Sequence, residues 1–264
     1  MDNCLLKFED VCLTYHSKTG ETETLKNINL DICEGDFVSI VGPSGCGKTT
    51  MLSLCSGILK PTTGKIYMSG KPIDGINKNV GYMFQKDQLF EWRTIKENIL
   101  LGIEIETALL PKKARKENFD KKSKYALNLL KKYGLEDFEN NSPNQLSGGM
   151  RQRVALIRTL ALNPSLLLLD EPFSALDFQN RLKLCDHVSE IIKTEKKTAI
   201  LVTHDISEAI SMSDKVVVLS KRPATVKNIH TINLQKYGLP FKRREAPEFS
   251  KEFDIIWKEL QEDV

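Results

Sequence analysis

The sequence predicts an α/β fold built around a parallel sheet. Two short apolar runs, FVSIV at residues 37–41 and LLLL at residues 166–169, have the length of strands that are buried on both faces. The segments between and after these runs have the charged, leucine-containing composition of helices. Because strands alternate with helices, and because unusual loops follow the apolar runs directly, we expect a ligand site at the ends of the strands.

The order of the elements follows from the same patterns. The expected strands cover residues 5–15, 25–32, 36–41, 64–68, 80–84, 166–169, 199–202 and 215–219. Residues 95–133 have the composition of a helical insertion, and residues 150–162 have the apolar spacing of a further helix. A terminal helix is expected from four apolar side chains at helical spacing, which are Phe249, Phe253, Ile256 and Trp257.

Composition limits the classes of protein to which the chain can belong. The 264 residues are 41% hydrophobic, which is enough for one large domain or two small ones. The net charge of +3 is too small to indicate a nucleic-acid or anionic-membrane partner. No apolar run reaches the length of a membrane-spanning helix, and the first residues do not resemble a secretion signal, so we expect a cytosolic chain.

The loop after the first apolar run has the composition of a phosphate-binding loop. The spacing Gly42-x-x-x-x-Gly47-Lys48-Thr49 is the P-loop pattern, in which backbone amides surround an anion. This pattern assigns the catalytic candidate Lys48 to the β and γ phosphates and the Thr49 hydroxyl to Mg²⁺. The alternative is an ordinary glycine-rich turn, but the pattern lies between an apolar strand and a helical run. The candidate nucleotide-binding residues of this loop are Gly42, Pro43, Ser44, Gly45, Cys46, Gly47, Lys48, Thr49 and Thr50.

The six cysteines include no C-x-x-C pair, so the sequence predicts neither a zinc site nor a disulfide framework. We expect them to be reduced and mostly buried. Cys46 is the exception because it lies in the phosphate loop, where a thiol reagent is expected to reach it when nucleotide is absent.

Two carboxylates follow the second apolar run immediately. Ligands of open α/β sheets bind at this position, so Asp170 is a candidate to hold Mg²⁺ through its water shell. Glu171, one residue further on, is a candidate general base that polarises an attacking water molecule. A solvated turn is the alternative, but the P-loop earlier in the chain favours the functional interpretation.

Two more polar residues follow other expected strands. His204 comes after the strand at residues 199–202, and its ring could contact the γ-phosphate and orient the water, although a lone histidine is usually structural. Gln85 comes after the strand at residues 80–84, and its amide oxygen could complete the Mg²⁺ shell and sense the γ-phosphate. Taken alone, a glutamine at the end of a strand is weak evidence.

The segment LSGGMRQR, residues 146–153, is a second candidate anion-binding loop. Ser147, Gly148 and Gly149 precede a helix, so they offer a capping hydroxyl, exposed amides and a helix dipole to a negative group. In the alternative interpretation, Ser147 only caps the helix. One chain with two phosphate-binding loops therefore needs an explanation.

The motifs occur in the order found in one family. The P-loop, Gln85, LSGGMRQR, LLLLDEP, the segment at residues 174–177 and His204 together resemble the nucleotide-binding subunit of an ATP-binding cassette (ABC) transporter, over residues 3–222. The resemblance implies a P-loop NTPase cassette that hydrolyses ATP with Mg²⁺. Its RecA-like mixed and parallel sheet is joined by an antiparallel β subdomain and by a helical subdomain inserted at about residues 88–155. Residues 223–264 remain as a C-terminal extension that carries the terminal helix.

The resemblance also implies a dimer. In such proteins two identical or related cassettes pack head to tail, and each ATP lies between one P-loop and the partner's signature loop, here Ser147, Gly148 and Gly149. By the same resemblance, Tyr15 stacks on adenine, and residues 174–177 cross the dimer interface. Met150 stands where the commonest signature has glutamine, but the serine and glycines that contact phosphate are intact.

Two segments are similar to those of one importer group. Residues 81–99 and residues 219–224, LSKRPA, are similar to segments of the importers for nitrate, sulfonate and taurine, a group that also takes up thiamine precursors. This similarity implies an integral-membrane permease as partner and, through it, an extracytoplasmic solute-binding protein. The chain would then lie on the cytoplasmic face of the cell membrane as a peripheral subunit. The solute itself is not resolved, because the cassette never touches it.

The alternative is a soluble cassette ATPase that acts on a nucleic-acid or protein assembly. Membrane association that depends on a co-expressed permease would distinguish the two, and we expect no nucleic-acid partner. Phe90 and Trp92, beside Arg93, are the candidate docking surface for the permease, since clustered aromatics with an arginine are usual interface anchors. In the alternative interpretation these two rings anchor the helical insertion to the core.

Overall fold

The computed structural model describes residues 4–18, 20–174 and 176–262, which form ten β-strands and eight α-helices. The strands are β1 Cys4–Ser17, β2 Gly20–Cys33, β3 Phe37–Val41, β4 Thr63–Met68, β5 Lys71–Pro72, β6 Val80–Met83, β7 Leu166–Asp170, β8 Thr198–Val202, β9 Lys215–Leu219 and β10 Val226–Thr231. The helices are α1 Lys48–Cys55, α2 Ile95–Ala108, α3 Lys112–Lys132, α4 Gly148–Leu160, α5 Phe178–Thr194, α6 Ile206–Met212, α7 Pro240–Arg243 and α8 Phe249–Gln261.

A six-stranded sheet lies at the centre of the fold, in the order β10-β9-β3-β8-β7-β6. Its neighbouring strands are parallel except for β10, which pairs with β9 in the antiparallel sense. Every residue of β3, β7 and β8 is buried, as expected for apolar strands that helices cover on both faces. The predicted α/β fold is therefore confirmed. The parallel strands bring the residues that follow Val41, Met83, Asp170 and Val202 to one edge of the sheet.

A second sheet is antiparallel and has the order β2-β1-β4-β5. Its two long strands, of 14 residues each, turn their apolar side chains toward α1. Leu6, Phe8 and Ile28 pack in one cluster with Met51 of that helix, and all four are almost completely buried. This packing fixes the end of β1, which carries Tyr15, beside the start of α1.

The sequence predicted one helical region over residues 95–133, and the structure has two helices there, α2 and α3. Thr94 begins α2 with a capping box, in which its hydroxyl accepts from the Glu97 amide while the Glu97 carboxylate accepts from the Thr94 amide. Pro111 is the N-cap residue of α3. Proline is tolerated at the start of a helix because the backbone N–H groups there have no carbonyl partner within the helix. Ile99, Leu129 and other apolar side chains bury the pair against α4.

The segment after Arg222 is part of the same structure. Strand β10, which the sequence patterns did not predict, extends the central sheet, so the predicted boundary at residues 222 and 223 lies between two paired strands. The predicted terminal helix corresponds to α8, whose Ile256 is fully buried against β9 and α6. Within the described residues, none of the helices has the length and apolar character needed to cross a membrane.

Candidate nucleotide site

The P-loop connects the end of β3 to the start of α1. Gly45 and Gly47 have φ angles of +71° and +125°, which place their backbones where a side chain is strained. A Cβ on Gly47 would also lie 2.8 Å from Leu25 Cδ2. The glycines therefore allow the loop to curl close to β2.

Lys48 lies inside this loop. Its side chain is 8% exposed, and its Nζ donates to the carbonyl oxygens of Gly42 at 2.8 Å and Pro43 at 2.9 Å. The loop thus surrounds the cation that the P-loop pattern assigns to the phosphates. The positive charge lies at the floor of an open cleft.

This nucleotide cleft has a volume of about 460 Å³, within the range of small-molecule sites. Tyr15 is 43% exposed at its rim, with Oη 3.3 Å from Thr50 Oγ1. The ring is therefore available for stacking against a flat ligand. The residues that line the cleft are Tyr15, Thr22, Thr24, Ser44, Gly45, Gly47, Lys48, Thr49, Thr50, Glu171 and Arg222.

The carboxylate of Asp170 is held beside the P-loop helix. Thr49 Oγ1 donates to Asp170 Oδ1 at 3.1 Å, and Tyr82 Oη donates to Asp170 Oδ2 at 3.1 Å. Burial is the main cause of an Asp170 pKa above its ordinary value, and the neighbouring Glu171 charge raises this pKa further. A buried carboxylate beside a hydroxyl supplies the hard oxygen ligands that Mg²⁺ prefers, so these residues fit the metal that the P-loop implies.

Glu171 meets two other candidate residues. Its backbone has a φ of +47°, an uncommon conformation outside glycine, and its amide donates to Val202 O at 2.9 Å. Its Oε2 atom lies 3.3 Å from His204 Nδ1 and accepts from Gln85 Nε2 at 3.2 Å. Three segments that are far apart in the sequence therefore converge on one carboxylate at the end of the sheet.

The signature loop lies elsewhere on the chain. Ser147 caps α4, and its hydroxyl accepts from the Met150 amide at 3.4 Å. Gly148 packs near Leu176, whereas a Cβ on Gly149 would have no atom within 4 Å. Among the described residues that line the nucleotide cleft, none belongs to this loop. The structure thus brings together the other candidate regions but leaves the signature loop separate.

One expectation about the P-loop is wrong. The Cys46 side chain is 1% exposed, and burial raises the pKa of its thiol, so a reagent cannot reach it in this conformation. The cause is that Cys46 points into the core, where its Sγ lies close to Gly42. Its backbone amide donates to Pro43 O at 3.3 Å. Of the predicted interface segment, Ala175 lies outside the described residues.

Sequence patterns missed two residues of the site. Tyr82 lies in β6 and reaches Asp170 because β6 and β7 are neighbours, with Tyr82 paired to Leu168. Arg222 follows β9 and donates to Gly45 O from Nη2 at 2.6 Å and from Nε at 3.2 Å. Both contacts depend on which strands lie side by side, and the sequence alone does not specify that order.

A glycine-rich loop between a buried strand and a helix, with an acidic pair at the end of another parallel strand of the same sheet, defines the class of P-loop nucleotide hydrolases. The sequence model of the ABC transporter family matches residues 25–174. The chain belongs to this family and is an ATP-binding cassette with ATPase character.

Individual relatives agree with this assignment. The ABC transporter ATP-binding protein YtlC of Bacillus subtilis (strain 168) is 47% identical over 256 residues, which are 97% of this chain and 95% of that protein. The nitrate import ATP-binding protein NrtD of Synechocystis sp. is 38% identical over 256 residues, 95% of this chain and 93% of that protein. Among solved structures, the dimeric ATP-binding cassette MJ0796 bound to ADP and Pi has 32% identity and a TM-score of 0.68, covering 87% of this chain and 99% of that one.

Proposed function

We propose that this cassette is the ATP-hydrolysing motor subunit of an importer that takes up a small solute through a separate permease. The observation that carries the proposal is that one chain has two candidate anion-binding loops and that, of these two, the P-loop alone contributes to the described lining of the nucleotide cleft. Ser147, Gly148 and Gly149 would complete the cleft of a second cassette. A dimer that closes on ATP and opens after hydrolysis would move a membrane protein that is bound to it.

In the proposed hydrolysis, Glu171 is the general base. Its carboxylate takes a proton from water, whose oxygen attacks the γ-phosphorus while the bond to the β-phosphate oxygen breaks. The contacts with His204 and Gln85 support this role because they hold the carboxylate in one orientation. Lys48 would stabilise the negative charge that develops on the phosphate oxygens.

The same geometry supports a role for the metal ligands. Thr49, Gln85 and Asp170 would hold Mg²⁺, which neutralises phosphate charge when it is bound. Asp170 is already oriented by Thr49 and by Tyr82, a residue that we add as a positioning group. Tyr15 would stack on adenine, since its ring is exposed at the rim of the cleft.

A head-to-tail homodimer, or a pair with a related cassette, accounts for the signature loop. The loop begins a helix of 13 residues, and its free amides and helix dipole suit the phosphate of a nucleotide bound to the partner. The dimeric state of the MJ0796 cassette supports this arrangement. The predicted interface segment, residues 174–177, lies beside Gly148 through its Leu176 side chain.

The permease would dock where the sheet passes into the helical insertion. Trp92 is 79% exposed there and packs against Phe90, with ring centroids 4.7 Å apart. Asn98 fixes the backbone of Phe90 with two hydrogen bonds, of 2.8 and 3.1 Å. Gln85 lies in the loop that leads from β6 to this surface, and its amide donates to Glu171. Occupancy of the nucleotide cleft could therefore rotate the insertion and move the docked permease segment.

The proposed assembly lies at the cytoplasmic face of the membrane, and a solute-binding protein acts through the permease. The similarity to a nitrate import protein, together with the resemblance of residues 81–99, supports a nitrate-, sulfonate- or taurine-like solute, or a thiamine precursor.

The test is co-expression with a candidate permease from the same organism. The double substitution of Phe90 and Trp92 by alanine should keep the ATPase activity of the isolated chain within about twofold, because neither ring lines the nucleotide cleft. It should reduce recovery of the chain with permease-containing membranes and reduce solute uptake. Trp257→Ala, which removes a half-exposed tryptophan of α8, is the matched control. Full membrane recovery and uptake in the double variant would place the docking surface elsewhere.

A further inference from the structure

Arg222 contacts the P-loop from a part of the chain that contains none of the nucleotide-binding motifs. It lies in the turn between β9 and β10, and two of its guanidinium nitrogens donate to the carbonyl oxygen of Gly45, at 2.6 and 3.2 Å. A carbonyl that accepts two bonds from one cation is strongly held. Arg222 also lines the nucleotide cleft.

The turn that carries Arg222 is itself fixed. Ala224 exchanges backbone hydrogen bonds with β2, donating to Thr24 O at 2.9 Å and accepting from the Lys26 amide at 2.9 Å. Ser220 closes the turn by donating its amide to Thr225 O at 3.0 Å. The backbone of the turn is therefore bonded to β2, which also lines the nucleotide cleft, so the Arg222 guanidinium extends from a fixed position.

The contact fixes one peptide group of the P-loop at both ends. Arg222 holds the oxygen of the peptide between Gly45 and Cys46, and Pro43 O accepts the N–H of the same peptide at 3.3 Å. Because a trans peptide is planar, with its C=O and N–H pointing in opposite directions, these two contacts fix its plane. Gly45 could otherwise rotate easily, since glycine has few conformational restrictions at its φ of +71°.

This peptide is linked directly to the lysine of the loop. The Pro43 oxygen that accepts from the Cys46 amide also accepts from Lys48 Nζ at 2.9 Å. A rotation of the peptide would remove one partner of Pro43 O and change the shape of the loop around Lys48. The loop conformation thus depends on a residue 177 positions away in the sequence.

We propose that Arg222 is a positioning residue for ATP binding, which holds the P-loop in its anion-binding conformation through the Gly45 carbonyl. Without it, the loop must be ordered when the nucleotide binds, and the cost of that ordering weakens binding. The hydrolysis step is unaffected, because Arg222 touches neither Glu171 nor Asp170 in any described contact. The inference depends on ATP binding by the cassette and is independent of the permease and the solute.

The test compares Arg222→Ala, Arg222→Lys and the neighbouring control Lys221→Ala. Lys221 is an exposed cation whose side chain has no partner among the described residues, so the control removes the same charge without the P-loop contact. We expect Arg222→Ala to raise both the KM for ATP and the Kd of the monomer for Mg-ATP about tenfold, with kcat within about twofold. Arg222→Lys, which can still donate one charged bond, should recover part of this loss.

Thermal melting without nucleotide checks that the variants are folded. An unchanged KM and Kd in Arg222→Ala would overturn the proposal, as would an equal effect of Lys221→Ala, which would indicate only a general electrostatic effect. A loss confined to ATP-dependent dimerisation, with unchanged affinity of the monomer, would also overturn it and assign Arg222 to the dimer interface.

Discussion

The Thr49 hydroxyl donates a hydrogen bond to the Asp170 carboxylate across 3.1 Å, which joins the first turn of α1 to the end of β7. Tyr82 donates to the other oxygen of the same carboxylate. A buried anion is thus kept in place by two neutral hydroxyls, without a direct ion pair among the described contacts. Such an arrangement is costly without ligand, and it is suited to a cation that arrives with the nucleotide.

Asp170→Asn should therefore stabilise the protein without nucleotide. The pKa of Asp170 is raised above 3.8, so its contribution to stability is greatest below that pH and is lost as pH rises through the folded-state pKa. At neutral pH, removing the charge should raise the melting temperature by about 2 °C or more. The difference should narrow as the pH is lowered through the folded-state pKa, where the native carboxyl binds its proton.

The same variant should lose the stabilisation that Mg-ATP gives to the wild type, since it lacks the carboxylate that would hold the metal. Thermal melting with and without Mg-ATP measures both effects. A lower melting temperature in Asp170→Asn without ligand would show that the ionised carboxylate stabilises the fold, against this expectation.

Glu171→Gln should bind Mg-ATP and dimerise but hydrolyse it about 10² to 10⁴ times more slowly, because the general base is removed while the P-loop is intact. Size-exclusion chromatography should show a dimer that depends on ATP. Glu190→Gln, on the exposed side of α5, is the control and should retain wild-type turnover. Wild-type turnover in Glu171→Gln would reject the assignment of Glu171 as base.

Tyr15→Ala should weaken ATP binding by the monomer about fivefold or more, since stacking of a base on an aromatic ring contributes on the order of 1–3 kcal/mol. Tyr15→Phe keeps the ring and loses only the 3.3 Å contact with Thr50, so its affinity should stay within about twofold of wild type. Calorimetric titration with Mg-ATP measures both variants. Equal losses in the two would mean that the hydroxyl, and not the ring, recognises the nucleotide.

Gly149→Ala tests whether the signature loop acts on a partner. An alanine Cβ at this position would meet no atom within 4 Å, and alanine favours a helix, so the chain should remain at least as stable. Monomer affinity for ATP should be unchanged, but ATPase turnover should fall at least about tenfold, because the added methyl group obstructs the partner's nucleotide. Lys48→Ala should instead weaken ATP binding by the monomer itself.

We would measure the ATPase turnover, the monomer affinity for ATP and the melting temperature of these two variants. The results distinguish a site shared by two chains from a site formed by one chain. Normal turnover in Gly149→Ala would contradict the head-to-tail arrangement, since the loop would then have room for an extra methyl group in the active assembly.

The sequence predicted the elements whose residues have a clear apolar pattern or a recognisable spacing. Residues 166–169 are all apolar, and residues 37–41 are apolar except for Ser39, because both faces of these strands are buried. The loops after them carry recognisable spacing. Strand β10 was missed because VKNIHT is largely polar and half exposed, so it lacks the apolar pattern of the other strands. Its position follows from pairing with β9, which is a property of the tertiary structure.

Some residues of the site were likewise recognised from the sequence, and others were missed. The P-loop and the acidic pair were each recognised because each motif is continuous in the sequence, and the structure places Thr49 in contact with Asp170. The contacts of Tyr82 and Arg222 were missed, since they depend on strand order and on the turn between β9 and β10. The orientation of Cys46 was mistaken because the spacing of a loop does not say which side chains point inward.

Strand β10 also covers one edge of the central sheet. Without it, β9 would end the sheet, and its sequence KVVVL would present unpaired amide and carbonyl groups beside apolar side chains, a template for pairing with other molecules. The short, polar β10 replaces that edge, and three of its side chains, Lys227, Asn228 and His230, are tied to Glu259 of α8. A chain cut after Arg222 would keep every nucleotide-binding motif, and we expect it to aggregate because the β9 edge would be uncovered.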